Sequence, residues 1–209
     1  MSHPIPYRQE VLRKCIHLSS LWMVVAMGYL PCMTNIALFT ILLIGCIAAE
    51  YGNHKKWRLL TLTYGALFNT MLRENEKQSS FRLSGAPYLI GAALMCTVLF
   101  PTVIAMTAFT VMLIGDTAAA LIGRRFGHHK INRGTKSLEG SFAFCTTGIV
   151  ILLFFYLYYA QSTIFLLFGS IGVVIGALTE AYENRIRLDD NFSIPLAVGI
   201  CLHLGLMLF

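Results

Sequence analysis

The chain has 209 residues, of which 56% are hydrophobic and only 12% are charged, whereas about a quarter of an ordinary soluble domain is charged. This composition argues strongly against a soluble globular protein. The 16 basic and 10 acidic residues, which give a net charge of +6, are also clustered along the chain. Between the clusters lie four runs without Lys, Arg, Asp or Glu: residues 15–49, 83–115, 141–179 and 192–209.

The length of each charge-free run matches one or two crossings of a bilayer. About 20 helical residues span the hydrocarbon core, so each of the first three runs has room for a helical hairpin. Pro31, Pro101 and Gln161 interrupt these runs near their middle. The sequence therefore predicts an all-α, polytopic membrane protein with about seven transmembrane helices, at residues 16–30, 33–49, 83–100, 102–122, 141–160, 162–179 and 192–209.

A further apolar stretch, residues 59–72, holds only 14 residues between two arginines. As a helix it would be about 21 Å long, which is short for a span, so we interpret it as a short interfacial or re-entrant helix. With seven spans and a cytoplasmic N-terminus, all 16 basic residues fall on the cytoplasmic side, which is the side that Lys and Arg prefer. The predicted cytoplasmic loops are residues 50–82, 123–140 and 180–191.

These features predict that residues 1–209 form a single integral-membrane domain in the lipid bilayer, and a catalytic site in it is expected at the cytoplasmic face. The positive net charge does not indicate nucleic-acid binding, because membrane orientation and anionic headgroups explain a one-sided basic surface equally well. The six cysteines are dispersed through apolar segments without a CxxC pair. Neither a zinc site nor a disulfide framework is therefore indicated.

Asp116 lies in the fourth predicted span, within about two turns of its cytoplasmic end. Ionisable residues in a span are costly and commonly functional, although a carboxylate paired with a neighbouring arginine is the simpler alternative. The loop that follows is rich in glycines, whose backbone N–H groups can approach an anion, and in basic residues. A plain topology determinant would also be basic, but the combination favours phosphate binding by Gly123, Arg124, Gly127, Lys136, Ser137 and Gly140.

Carboxylates follow in the same loop and in the next one. Glu139 stands just after Lys136, and Glu180 and Asp190 flank the third cytoplasmic loop, with Asn191 beside Asp190. Carboxylates opposite a basic, glycine-rich loop are what a magnesium–nucleotide site requires. The alternative, surface ion pairs between neighbouring charges, stays open.

A polar stripe enters the first predicted span. Glu10, Arg13, Lys14 and His17 are spaced i, i+3, i+4 and i+7, so they line one helical face. A lone histidine at the start of a span is commonly an interfacial residue, but its three polar companions favour a functional role.

In order along nearly the whole chain, these blocks resemble the CTP-dependent lipid-alcohol kinases. That family comprises dolichol kinase, phytol and farnesol kinases and the yeast-type diacylglycerol kinase, and it is related to CDP-diacylglycerol synthase. The chain lacks the His-Gly-Gly and Asp-Arg segment that ends the synthases, which favours the kinases. The matching blocks are Glu10-x-x-Arg13-Lys14-x-x-His17, Gly115-Asp116-Thr117-Ala118-Ala119 with Gly123-Arg124 and Gly127, Lys136-Ser137-x-Glu139-Gly140, Glu180, and Asp190-Asn191-x-x-Ile194-Pro195.

The resemblance implies transfer of the γ-phosphoryl group of CTP to the hydroxyl of a membrane lipid alcohol, such as a polyprenol, a phytol-like alcohol or diacylglycerol. It also implies a Mg²⁺ ion held by Asp116 and Asp190. The phosphates would be held by Lys136, Arg124 and the glycine loop, with Arg13, Lys14 and Asn191 as further nucleotide contacts. The proton acceptor would be Glu139, Glu180 or His17.

Two other functions stay open beside the kinase. One is a phosphatidate cytidylyltransferase that makes CDP-diacylglycerol, and the other is a non-enzymatic membrane transporter in which Asp116 is an ion site. In one respect the chain departs from the family: Ala86 follows Gly85, where the kinases often have an acidic residue. Whether the protein forms a homodimer is also left open.

Overall fold

The computed structural model describes residues 7–55, 57, 83–131, 136–182 and 188–208. Within these residues the secondary structure is helical, apart from one isolated antiparallel bridge between Lys130 and Ser137. The helices are α1 (Tyr7–Ser19), α2 (Leu21–Tyr29), α3 (Cys32–His54), α4 (Gly85–Leu99), α5 (Thr102–Phe126), α6 (Leu138–Tyr158), α7 (Thr163–Ala181) and α8 (Asp190–Leu208).

Six helical stretches among the described residues are long and apolar enough to cross a membrane. Helices α1 and α2 together provide the first of them, Glu10–Tyr29, and α3, α5, α6, α7 and α8 provide the others. The all-helical prediction is thus confirmed for the described residues, and the six apolar stretches agree with a multi-pass membrane protein. The predicted span at 83–100 is a shorter helix of 15 residues, α4, about 22 Å long. The predicted helix at 59–72 lies outside the described residues.

Two prolines end the helices that precede them. Pro31 and Pro101 occupy the N-cap positions of α3 and α5, and the residues before them, Leu30 and Phe100, are extended. A residue before proline is sterically driven out of the helical region, so α2 and α4 end there. The third predicted break lies between α6 and α7, where Ala160 takes a positive φ of 47°.

These tight turns make hairpins of α2 and α3, of α4 and α5, and of α6 and α7. Consequently α1, α4, α6 and α8 begin at the same end of the bundle at which α3, α5 and α7 finish. Contacts between distant residues join the helices there, including Lys14 with Asp116 and Lys136 with Glu180. We call this the charged end of the bundle.

Helix α5 is the centre of the bundle. It packs against α1, α2, α4, α6 and α8. Of the apolar stretch of α5 that is long enough to cross a membrane, 78% is buried inside the protein. Phe109, Met112 and Leu113 have no exposed surface. By contrast, only 11% of the corresponding stretch of α3 is buried, because α3 packs mainly on α4 at the periphery of the bundle.

Small residues bring α5 and α6 close together near the charged end. A Cβ atom on Gly140 would lie 2.8 Å from the carbonyl oxygen of Ala119 and 3.3 Å from the Cα of Gly123. Small residues at such a crossing let two helix backbones approach closely, as in other membrane helix pairs. The approach positions the start of α6, and with it Lys136, beside the end of α5.

Candidate active site

Asp116 is buried just past the middle of α5 and faces the polar stripe of α1. The ammonium group of Lys14, which is also buried, donates a hydrogen bond to its carboxylate. The Nε2 atom of His17 lies 3.5 Å from the same carboxylate oxygen. Within the described residues that Nε2 is buried and has no hydrogen-bond partner. The structure thus brings together three residues that the sequence nominated from two distant segments.

A second group of charges surrounds Lys136. Its Nζ donates to Glu180 Oε1 at 2.5 Å and lies 3.5 Å from Asp190 Oδ2. Glu180 is in the last turn of α7 and Asp190 in the first turn of α8, and both are buried. Glu180 also lies within electrostatic range of Asp116, and Asp190 within that of His17. The two charge groups therefore belong to one site.

The loop before α6 holds Lys136 in place. The N–H of Ile131 donates to the carbonyl oxygen of Lys136 at 3.0 Å, and the N–H of Leu138 donates to the carbonyl oxygen of His129 at 3.0 Å. The buried hydroxyl of Ser137 accepts from Gly140 N–H at 3.2 Å and so caps α6. This short antiparallel pairing and the cap together present Lys136 to α7 and α8.

A third group joins α1 to the end of α5. The buried carboxylate of Glu10 pairs with Arg13 at 2.6 Å through Oε1 and with Arg124 at 3.3 Å through Oε2. Glu10, Arg13, Lys14 and His17 all lie on the stripe predicted for α1. The stripe therefore contacts α5 at two places along its length. Glu10 contacts Arg124, and Lys14 and His17 contact Asp116.

Glu139 has a different environment from the other nominated carboxylates. It accepts hydrogen bonds from the backbone N–H groups of His128 at 3.0 Å and His129 at 3.1 Å. Its Oε1 also lies 2.8 Å from the Nδ1 of His129. These contacts are with the loop, whereas Glu180 and Asp190 meet at Lys136. Glu139 therefore fastens the loop onto the start of α6.

The nominated glycines are close to neighbouring backbone. A Cβ on Gly127 would lie 2.1 Å from the Gly123 carbonyl oxygen, and one on Gly123 would lie 2.9 Å from Ser137 Oγ. Gly123, Gly127 and Gly140 thus pack around Ser137. The structure supplies a packing reason for these glycines, and their part in nucleotide binding stays a prediction.

Asn191 follows Asp190 in the first turn of α8 and is buried. Its Nδ2 donates to Asp189 Oδ1 at 2.7 Å. A Cβ on Gly85 would lie 3.2 Å from the same nitrogen. Asn191 therefore connects the start of α8 to the start of α4, next to the group around Lys136.

The sequence did not nominate two acidic residues that the structure places at the charged end. Glu10 was only a member of the stripe, although its spacing from Arg13 could have predicted the pair. The other is Glu50, which accepts from the backbone N–H of Ser84 at 3.0 Å and from its hydroxyl group. An acidic group thus reaches the start of α4 from α3, and no local pattern around Ser84 signals it.

The oxygen donors of the site suit a magnesium ion that arrives with phosphates. No group of three or more His, Cys, Asp and Glu side chains among the described residues is arranged to hold a metal by itself. Mg²⁺ is commonly bound by one or two carboxylates together with substrate phosphates and water. Asp116 and Asp190 fit that role, and the lysines beside them compensate their charge.

Comparisons with known proteins bear on the family. The chain is 33% identical over 132 residues to an uncharacterised protein of Rickettsia prowazekii, and the match covers 62% of each chain. It is 25% identical over 167 residues to CTP-dependent diacylglycerol kinase 1 of Saccharomyces cerevisiae, covering 70% of this chain and 56% of that one. It is 28% identical over 229 residues to CTP-dependent diacylglycerol kinase 1 of Schizosaccharomyces pombe, covering 94% of each.

No family model matches the chain, and no solved structure matches it at a significant level. The chain spans less than two thirds of the length of the first two relatives, whereas it matches the Schizosaccharomyces pombe kinase nearly from end to end. The relatives whose names state an activity are CTP-dependent lipid kinases, and the similarity of the chain to them agrees with the ordered blocks of the sequence.

Proposed function

We propose that the protein is a kinase that transfers the γ-phosphoryl group of CTP to the hydroxyl group of a membrane lipid alcohol. The observation that carries this proposal is the meeting of Lys14, His17, Asp116, Lys136, Glu180 and Asp190 at one end of a bundle of membrane helices. The reaction joins a water-soluble polyanion to an apolar acceptor. It therefore needs cations and carboxylates where the spans meet water, which we propose is the cytoplasmic face.

The phosphates of CTP would bind to the cations that line this end. Arg124 and Arg13 approach from α5 and α1, and Lys136 approaches from the loop before α6. Arginine and lysine stabilise the negative charge that is redistributed when a phosphoryl group is transferred. Lys14, Ser137, Asn191 and the glycines 123, 127 and 140 are the remaining residues proposed to contact the nucleotide.

Asp116 and Asp190 would hold Mg²⁺, which when bound neutralises charge on the phosphate oxygens. Lys14 keeps Asp116 oriented by a hydrogen bond, and Lys136 lies between Glu180 and Asp190. A buried carboxylate is stable only when it is paired and hydrogen-bonded. The lysines thus offset the charge of the carboxylates in the position where the metal would need them.

Of the three nominated proton acceptors, His17 is favoured by its contacts. Glu139 accepts hydrogen bonds from the backbone N–H groups of His128 and His129, and Glu180 accepts one from Lys136. The buried Nε2 of His17, in the described part of the chain, has no hydrogen bond. The lipid oxygen would bond to the γ-phosphorus as the bond to the β-phosphate oxygen breaks, CDP would leave, and the hydroxyl proton would pass to this nitrogen.

The experiment that tests the proposal labels CTP at two positions. Purified protein in detergent is incubated with Mg²⁺, with CTP labelled at either the α- or the γ-phosphate, and with a polyprenol, phytol, diacylglycerol or phosphatidate as acceptor. The kinase transfers only the γ-label to lipid, whereas a phosphatidate cytidylyltransferase would transfer the α-label to phosphatidate. A transporter would transfer neither.

Variants of two site residues connect that activity to the site. Asp116→Asn and Lys136→Ala are each expected to abolish transfer, because the first removes a proposed metal ligand and the second a phosphate contact. Membrane insertion and detergent extraction should be preserved in both, since neither change adds a charge to a membrane span or shortens one. Turnover at the wild-type rate in either purified variant would refute the proposed site.

A further inference from the structure

The group formed by Glu10, Arg13 and Arg124 has an arrangement that none of the matching blocks explains. The side chain of Glu10 is only 3% exposed, whereas those of Arg13 and Arg124 are 29% and 25% exposed. The carboxylate therefore lies behind and the two guanidinium groups lie in front, at the surface of the charged end. Arg13 comes from α1 and Arg124 from the last turn of α5, 111 positions apart in the chain.

Two guanidinium groups held side by side repel each other. Glu10 offsets that repulsion, and each of its oxygens takes one arginine: Oε1 accepts from Arg13 Nη2 at 2.6 Å and Oε2 lies 3.3 Å from Arg124 Nη2. A guanidinium has five N–H donors in a rigid fork, so contact with a carboxylate oxygen fixes its direction. Each arginine commonly binds a phosphate group through two parallel N–H···O bonds, which gives the contact a defined geometry.

We propose that Glu10 is a positioning residue which aligns Arg13 and Arg124 as a clamp for the polyphosphate chain of the nucleotide. This inference rests on the proposed function for the identity of the ligand. Glu10 itself does not touch the phosphates, because it lies buried behind the two arginines. It acts by keeping their guanidinium groups together and pointing toward the side from which a water-soluble anion arrives.

Whether Glu10→Gln raises or lowers the affinity for an anion distinguishes a positioning role of Glu10 from a purely electrostatic one. Removal of a carboxylate makes the site one unit more positive, so a purely electrostatic effect would tighten the binding of an anion. Loss of alignment would instead weaken the binding of the anion, by about tenfold. This is the smaller end of the loss of affinity seen when a residue that orients a metal ligand is removed. Glu50→Gln is the matched control. Glu50 is another buried carboxylate of the charged end, but it accepts a hydrogen bond from Ser84.

The experiment measures equilibrium binding of inorganic tripolyphosphate and of CTP to the full chain in detergent, together with the KM for CTP. In E10Q we expect both affinities to fall and the KM for CTP to rise about tenfold, while the KM for the lipid stays unchanged. E50Q should keep the wild-type affinities. Tighter or unchanged binding of both ligands in E10Q would overturn the proposal.

A second comparison shows whether Glu10 acts through the arginines. In the Arg13→Ala/Arg124→Ala background, Glu10→Gln should have no further effect on CTP affinity, because residues that act together are not additive. A full additional loss in that background would refute the clamp. If E10Q does not fold, Glu10→Asp carries the same test with a smaller expected loss, since it keeps the charge but shortens the side chain by one methylene.

A phosphorylated lipid is another source of the same anion, and micelles with phosphatidate test it. Displacement of tripolyphosphate by phosphatidate but not by CTP would overturn the assignment to the nucleotide. Glu10-dependent tripolyphosphate binding by a protein that phosphorylates no lipid would keep the clamp and refute the kinase. An active kinase with wild-type affinities in E10Q would refute the clamp alone.

Discussion

Lys14 and Asp116 form an ion pair at the contact between α1 and α5, and both side chains are buried. Burying two charges costs several kcal/mol for each ion before their attraction is counted, so such a pair is weak evidence for stability. Charged residues inside membrane spans are, in addition, rare and generally functional. The presence of His17 beside this pair is therefore better explained by chemistry at the site than by stabilisation of the bundle.

His17→Gln tests the role of this histidine, and His203→Gln is its control. If His17 accepts the hydroxyl proton, kcat should fall about 100-fold or more, as is typical when a general base is lost. The KM for CTP should change little, because the phosphates are bound by other residues. His203 contacts the Phe100 ring near the opposite end of the bundle, and its variant should keep the wild-type kcat. Equal kcat values for the two variants would argue against His17 as the base.

At the scale of the helices, the site depends on how α5 and α6 cross. Gly140 and Gly123 bring the two backbones together beside Ser137. That contact determines where α6 begins, and Lys136 is held just before it. The position of one proposed phosphate ligand thus follows from the packing of two membrane helices.

Gly140→Ala is expected to destabilise the protein. Its Cβ would meet the Ala119 carbonyl oxygen at 2.8 Å, and overpacking of this kind costs about 1–3 kcal/mol. Gly45→Ala is the control, because a Cβ on Gly45 meets nothing within 4 Å and alanine stabilises a helix by about 0.5–1 kcal/mol relative to glycine. Thermal unfolding in detergent should give a lower Tm for G140A than for G45A. The same Tm in both would contradict a tight crossing.

At the scale of the whole molecule, charge is distributed very unevenly. Asp116, Lys136, Glu180, Asp190 and the Glu10 group lie at the charged end, whereas the turns at the opposite end contain no charged residue in 29–32, 99–102 and 159–163. Lys and Arg collect on the cytoplasmic side of membrane proteins. This asymmetry predicts one orientation of the bundle in the membrane, with the site facing the cytoplasm.

Cysteine labelling tests that orientation. His128→Cys places a thiol in an exposed loop of the charged end, and Ser162→Cys places one in the turn between α6 and α7. In a background without the natural cysteines, a membrane-impermeant maleimide should label position 162 from the outer side of intact cells. It should label position 128 only in inverted vesicles. The reverse pattern would refute the cytoplasmic location of the site.

The sequence by itself determined the helical membrane character and the three hairpin breaks. A charge-free run long enough for two spans has few alternatives in a bilayer, where backbone groups must be satisfied within the helix. Pro31 and Pro101 then end helices through local sterics. The sequence also nominated most of the residues that meet at the charged end, since costly polar groups near spans are conspicuous in an apolar chain.

Only the tertiary structure decided which of those residues are partners. Lys14 and Asp116 are 102 positions apart, and their contact depends on the packing of α1 against α5, which periodicity along one helix does not encode. The same holds for Glu10 with Arg124, for Glu50 with Ser84, and for Glu139, whose contacts lie in the loop. Charge pattern determined which end of the helices is polar, whereas side-chain shape at the crossings determined which charges touch.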